Sequence, residues 1–121
     1  MIDVRDRIKQ ATATLGTSYT SVGSKVMSGN IRHTQAIILA PPPEVSSGAV
    51  AYIGVLQSGG TSGTDEVIKY TVAVAQRDYG ITQLGRVGDP NSDILILKEN
   101  DVLRARGNVS GITLTQVYWD E

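Results

Sequence analysis

From Gly16 onward the chain is written in short β-branched runs, each closed by a cluster of Gly, Ser, Thr, Asn, Asp or Pro. A helix needs apolar residues spaced by three and four over ten or more positions, whereas short runs that end in turn formers fit strands. The clearest run is Val67–Gln76, where Ile68, Tyr70, Val72 and Val74 alternate with Lys69, Thr71 and Ala73. That period of two sets one face of a strand on a core and the other in water. Further strands are expected at Thr17–Val22, Lys25–Ser28, Ile31–Ala40, Ala49–Gln57, Tyr79–Leu84, Ile94–Leu97, Val102–Arg106 and Ile112–Trp119. Pro41-Pro42-Pro43 stops the longest of them, because a residue without an N–H cannot serve a hydrogen-bonded ladder. Ser58–Asp65, Gly88–Asp93, Lys98–Asp101 and Gly107-Asn108 supply the turns. At this strand load and spacing, the expected fold class is all-β, a two-sheet antiparallel sandwich of about eight strands over residues 16–121.

The first fifteen residues have a different texture. Five formal charges fall within Asp3–Lys9, and Met1, Val4, Ile8, Ala11 and Leu15 recur at helical spacings. Residues 1–15 are therefore expected to form a short amphipathic helix or an arm, with no good cap before it and Thr12 and Thr14 ending the pattern. The segment has no continuous apolar stretch of the kind a secretion signal needs, and no run in the chain approaches a membrane span. Asn108-Val109-Ser110 matches a glycosylation acceptor in form and reads as a turn between two strands.

Composition closes off several kinds of chemistry. The 121 residues hold no Cys, so disulfides, thiolate metal sites and thiol nucleophiles drop out together. Eleven Lys and Arg against twelve Asp and Glu give a net charge of −1, which is not the basic field that a nucleic-acid groove requires. The Gly-rich stretch Ser58–Asp65 lacks the Gly-Lys-Ser/Thr of a phosphate cradle and reads as a surface loop. The lone His33, mid-strand between Arg32 and Thr34, would need a nucleophile and an orienting partner to act as a base. The acidic pairs Asp65-Glu66, Glu99 with Asp101, and Asp120-Glu121 have no calcium-loop spacing and read as solvated turns. No metal, cofactor or catalytic constellation is expected from these residues.

Two features point to contacts between proteins. Arg104 and Arg106 alternate with Leu103 and Ala105, which places two guanidiniums on one strand face. There they are either solvated or paired with carboxylates of a neighbouring subunit. Tyr118-Trp119, close behind Ile112 and Leu114, reads as core packing or as an interface anchor.

The segment Ile94-Leu95-Ile96-Leu97-Lys98-Glu99-Asn100-Asp101-Val102-Leu103-Arg104-Ala105, followed by Val109 to Trp119, resembles the ending of small jelly-roll virion proteins of tailed phages. In those a strand, a polar turn ending in Asp, a short hydrophobic and Arg-containing strand and a final alternating strand close the jelly roll. Leu15–Val22 is similar to their opening strand and Arg32–Leu39 to their long second one, so the resemblance spans most of residues 11–121. It implies a jelly-roll capsid decoration or cement protein, not an enzyme, that sits on the virion surface. Its expected partner is the major capsid protein or another virion protein, and it is commonly a homotrimer. Neck, tail and spike components share that sandwich, and a receptor- or carbohydrate-binding tip is the alternative expectation. The net charge of −1 and the lack of a membrane-length apolar run leave no nucleic-acid or membrane partner expected. The candidate interface residues are Met1, Ile2, Val4 and Ile8 of the arm, with Arg104, Arg106, Tyr118 and Trp119.

Overall fold

The computed structural model describes residues 7–42, 49–74, 81–87 and 93–121. Nine strands run β1 (Lys9–Leu15), β2 (Thr20–Val22), β3 (Arg32–Ala40), β4 (Val50–Leu56), β5 (Val67–Ala73), β6 (Thr82–Gly85), β7 (Leu95–Leu97), β8 (Val102–Gly107) and β9 (Ile112–Asp120). They form two antiparallel sheets: sheet A in the order β1-β9-β3-β6, with β7 also on β3, and sheet B in the order β2-β8-β4-β5. The pairing is nested. The first strand meets the last, the second the next to last, β3 takes β6 and β7, and β4 meets β5. A long antiparallel ribbon wrapped into two layers in this way is a jelly roll.

Inward-facing residues of both sheets make one core. Leu15, Ile37, Leu39, Leu97, Ile112 and Leu114 come from sheet A, and Val22, Ala51, Ile53, Leu103 and Ala105 from sheet B. The chain has no Phe, so the core volume comes from Leu, Ile and Val of both layers, with Ala51 and Ala105 of sheet B making room for the larger side chains.

The N-terminal reading needs correction. Lys9–Leu15 is not helical but the edge strand of sheet A, in register with β9 from Lys9↔Tyr118 to Leu15↔Ile112. Ala11 and Leu15 fit both a helical spacing and an alternating one; with Ala13 they turn toward the core while Thr12 and Thr14 stay exposed. Thr is a weak helix former, and seven residues cannot sustain a helix alone, so pairing with β9 decides the outcome. The sandwich thus begins at Lys9 rather than at residue 16, and any arm lies before it. Met1, Ile2 and Val4 fall outside the described residues, as do residues 43–48, 75–80 and 88–92.

Two further expectations shift. Lys25–Ser28 forms no strand, although Val26 is fully buried and exchanges backbone hydrogen bonds with Asn100 and Asp101. In β5 the register slips between Ile53↔Tyr70 and Gly54↔Ile68. This bulge passes over Lys69 and turns Ile68 outward, where it is 52% exposed, while Tyr70 and Val72 keep their inward places.

Candidate functional site

The residues singled out in the sequence separate onto two surfaces. Tyr118 and Trp119 sit at one end of sheet A, where the start of β3 faces the end of β9. Arg104 and Arg106 lie on the outer face of sheet B. Ile8 is half-buried just before β1.

At the sheet A end, strand alternation sends side chains to opposite sides. Arg32 points inward and is 3% exposed. It holds Asp120 through Nε at 2.8 Å and Nη2 at 3.1 Å, donates Nη1 to the Ser24 carbonyl at 2.9 Å, and lies 4.2 Å over the Tyr118 ring. A buried guanidinium is tolerated only when its donors are used, and here a bidentate carboxylate, a carbonyl and an aromatic face use them. Beneath it Gln116 donates Nε2 to Thr34 Oγ1 at 2.8 Å, both residues fully buried.

On the opposite side His33 stacks flat on Trp119, 4.2 Å between ring centres and 8° between planes. Its Nδ1 lies 2.6 Å from Asp93 Oδ2 and its Nε2 3.4 Å from Glu121 Oε2. An imidazole with both nitrogens facing carboxylates ties β3 to the chain before β7 and to the end of β9, and presents neither nitrogen to a hydroxyl nucleophile. Arg7 completes the corner, donating to the Asp120 carbonyl at 2.7 Å with its Cζ 5.8 Å over the Trp119 ring. Beside it lies a cleft of about 390 Å³ lined by Arg7, Lys9, Met27, Asn30, Asp120 and Glu121. The Trp119 Nε1 is buried with no hydrogen-bond partner among the described residues.

The outer face of sheet B carries the two arginines at successive outward positions of β8. Arg104, opposite Gly54 and Ser21, is fully engaged. Its Nε donates to Glu66 Oε2 at 3.1 Å, Nη1 to Ser21 Oγ at 2.9 Å and Nη2 to the Tyr19 carbonyl at 3.3 Å. Glu66 was expected in a solvated turn, yet its side chain is 1% exposed. The same Oε2 accepts the Gly63 N–H at 2.8 Å, so the 57–65 loop is pinned to the sheet through this carboxylate. Burial pushes the Glu66 pKa up, but the Gly63 and Glu66 N–H groups, the Arg104 hydrogen bond and the Arg104 charge together outweigh it and hold the pKa below the usual glutamate value. Gly54 lets this happen: a Cβ there would stand 2.9 Å from the Val67 carbonyl oxygen, in the path by which the loop enters β5.

Arg106 is held differently. Its Cζ lies 4.2 Å from the centre of the Tyr52 ring, across the ladder from it on β4, and 5.6 Å from that of Tyr19, which precedes β2. Among the described residues no carboxylate or carbonyl takes its donors. The sequence offered Arg106 but not Tyr19, Tyr52 or Glu66. Tyr19 and Tyr52 meet Arg106, and Glu66 meets Arg104, only through the way β2, β4 and β5 are set around β8, with partners tens of residues apart, and no local spacing marks them.

No protein-family model matches the chain, and no curated protein matches it. Among the described residues no group of His, Asp and Glu is arranged to hold a metal ion, and no helix is long and apolar enough to cross a membrane.

Proposed function

We propose that the protein is a structural component of a virion, a capsid decoration or cement protein that binds the assembled shell by non-covalent contacts. The observation that carries this reading is the nested pairing of a jelly roll, an architecture that recurs in viral capsid and lectin domains. Between those two uses, the corner around Trp119 favours the first. A sugar platform needs an open aromatic face, whereas Trp119 is stacked by His33 and overlain by Arg7. Trp119 thus offers no open platform to a sugar.

Such a protein needs a stiff body and an attachment. The body is the sandwich from Lys9 to Asp120. The attachment is the segment before Lys9, which leaves the body at the Arg7 corner beside the 390 Å³ cleft. Occupied sites stabilise the shell by mass action, and a trimer that engages several shell subunits raises the effective affinity without any new contact.

The test is co-sedimentation with empty shells of the major capsid protein encoded with it. The full chain is expected to co-sediment, and removal of residues 1–6 is expected to weaken binding about ten-fold or more while cooperative unfolding is retained. A full chain that stays in the supernatant rejects the reading. Unchanged binding after removal of residues 1–6 rejects the arm as the attachment.

A further inference from the structure

We infer that Arg106, set between Tyr52 and Tyr19 on the outer face of sheet B, is a carboxylate-binding site that receives an acidic side chain of the protein partner. The inference rests on the docking role above and names the chemistry by which one face of the body recognises what it docks on.

The chain itself shows what this face of β8 accepts. Arg104 and Arg106 are two residues apart and point the same way; both face β4 on one side, and on the other Arg104 faces β2 and Arg106 faces Tyr19 just before it. At Arg104 the ligand is internal: Glu66 arrives from the 57–66 segment and takes the Nε, and Ser21 and the Tyr19 carbonyl take the remaining edges. At Arg106 the place of Gly54 is taken by Tyr52, whose ring stands where the loop crosses at Gly54, and among the described residues no acid follows. The guanidinium rests on the ring, with its five donors directed along its own plane.

That arrangement is suited to an anion. An arginine free in water loses side-chain entropy when it is clamped, and stacking on an aromatic face has already incurred that loss. The tyrosine rings supply no carboxylate or carbonyl to the fork, and among the described residues none is hydrogen-bonded to it. A planar fork of N–H donors matches a carboxylate in the bidentate manner that Arg32 shows with Asp120 at 2.8 and 3.1 Å in this same molecule. The site is half-buried, so a charge-assisted pair there is less screened than one at the rim. The tyrosines define the fit: they flank the guanidinium at 4.2 and 5.6 Å, and their rings add apolar contact to the carbon stem of an Asp or Glu.

The experiment uses the full chain with two readouts. The Nε–H resonance of Arg106, assigned by its absence from R106K, is followed by NMR. It is titrated with a blocked pentapeptide containing one glutamate, with the matching glutamine peptide, and with inorganic phosphate. Shell co-sedimentation is then compared for the wild type, R106Q, R106K and Y52L, each checked for unchanged cooperative unfolding. A saturable downfield shift with the glutamate peptide alone is expected, together with shell binding weakened about ten-fold or more in R106Q. R106K, which keeps the charge but loses the planar fork, should recover little of the loss, and Y52L should lie between.

Wild-type shell binding that R106Q leaves unchanged overturns the inference while the docking role stands. A shift produced equally by the glutamine peptide, or more strongly by phosphate, overturns it in favour of a non-carboxylate ligand. A shift that depends on protein concentration without peptide overturns it in favour of a second copy of this chain. Should the wild type ignore shells, the docking role fails, and the glutamate titration alone decides whether Arg106 binds carboxylates.

Discussion

Two arginines on one strand face behave differently because of one glutamate, and that glutamate makes the clearest pH prediction. The carboxylate of Glu66 sits below its usual pKa, so its ion pair contributes stability that is fully present above the ordinary glutamate value, about 4.3, and is lost as pH falls through the lower folded-state value. E66Q is expected to be less stable than the wild type near neutrality, with the difference shrinking as pH drops below about 4. Chemical denaturation midpoints at pH 7, 5, 4 and 3 check it; a gap that stays constant across the series would show that the charge of Glu66 contributes nothing. At this scale the sequence was legible in part. The arginines announced a shared face by alternation with Leu103 and Ala105, and the structure puts them there. Glu66 did not announce itself, since Asp65-Glu66 after a Gly-rich loop looks like any solvated acidic turn. Its burial depends on Gly54, a residue of another strand that leaves room for the loop.

Elements were legible where their period was unambiguous and their partners did not matter. β3, β4, β8 and β9 fall within one or two residues of the runs read from the sequence. β1 was misread because Ala and Leu satisfied both periods, and only the β9 ladder separates them. β5 was right in place but wrong in face for Ile68, because a bulge has no local signature in a β-branched run. The Gln35 bulge in β3 matters most for the architecture. Across it the register jumps from Thr34↔Tyr118 to Ala36↔Val117, and the partner on the other edge changes from β7 to β6. Gly85, at φ +78°, ends β6 opposite this point, and a Cβ there would fall 2.1 Å from the Gln35 carbonyl oxygen. G85A therefore combines an unfavourable backbone region with a collision against main chain that cannot rotate away. It is expected to cost about 2 kcal/mol or more, read as a shift in the denaturant midpoint with little change in slope. G29A, at a positive φ but with nothing within 4 Å of the added carbon, is the control and should cost less.

For the molecule as a whole, composition and turn spacing foretold a sandwich, whereas strand order had to come from the structure, since no short-range signal says that the first strand lies beside the last. That order has a kinetic consequence. Every ladder except β4·β5 joins segments distant in sequence; the Thr12–Thr115 hydroxyl contact alone spans 103 residues. Loop closure must precede the contacts that compensate for it, so refolding is expected on the millisecond-to-second scale typical of β-sandwiches rather than in microseconds. Stopped-flow fluorescence of Trp119, which becomes stacked only when β3 and β9 meet, measures it directly. A phase complete within the mixing dead time would contradict this.

The same first-to-last pairing bears on how the chain is made. β1 leaves the ribosome about a hundred residues before the strand it pairs with, a wait of roughly 5–20 s at ordinary rates of elongation. During that interval it is an unpartnered edge, the kind of segment that recruits other nascent chains. Its composition suits the delay: Lys-Gln-Ala-Thr-Ala-Thr-Leu carries one large apolar side chain, Leu15 at its C-terminal end. Sheet A acquires the strand that joins β1 to β3 only when β9 emerges, so a chain cut short before residue 112 cannot complete the sandwich.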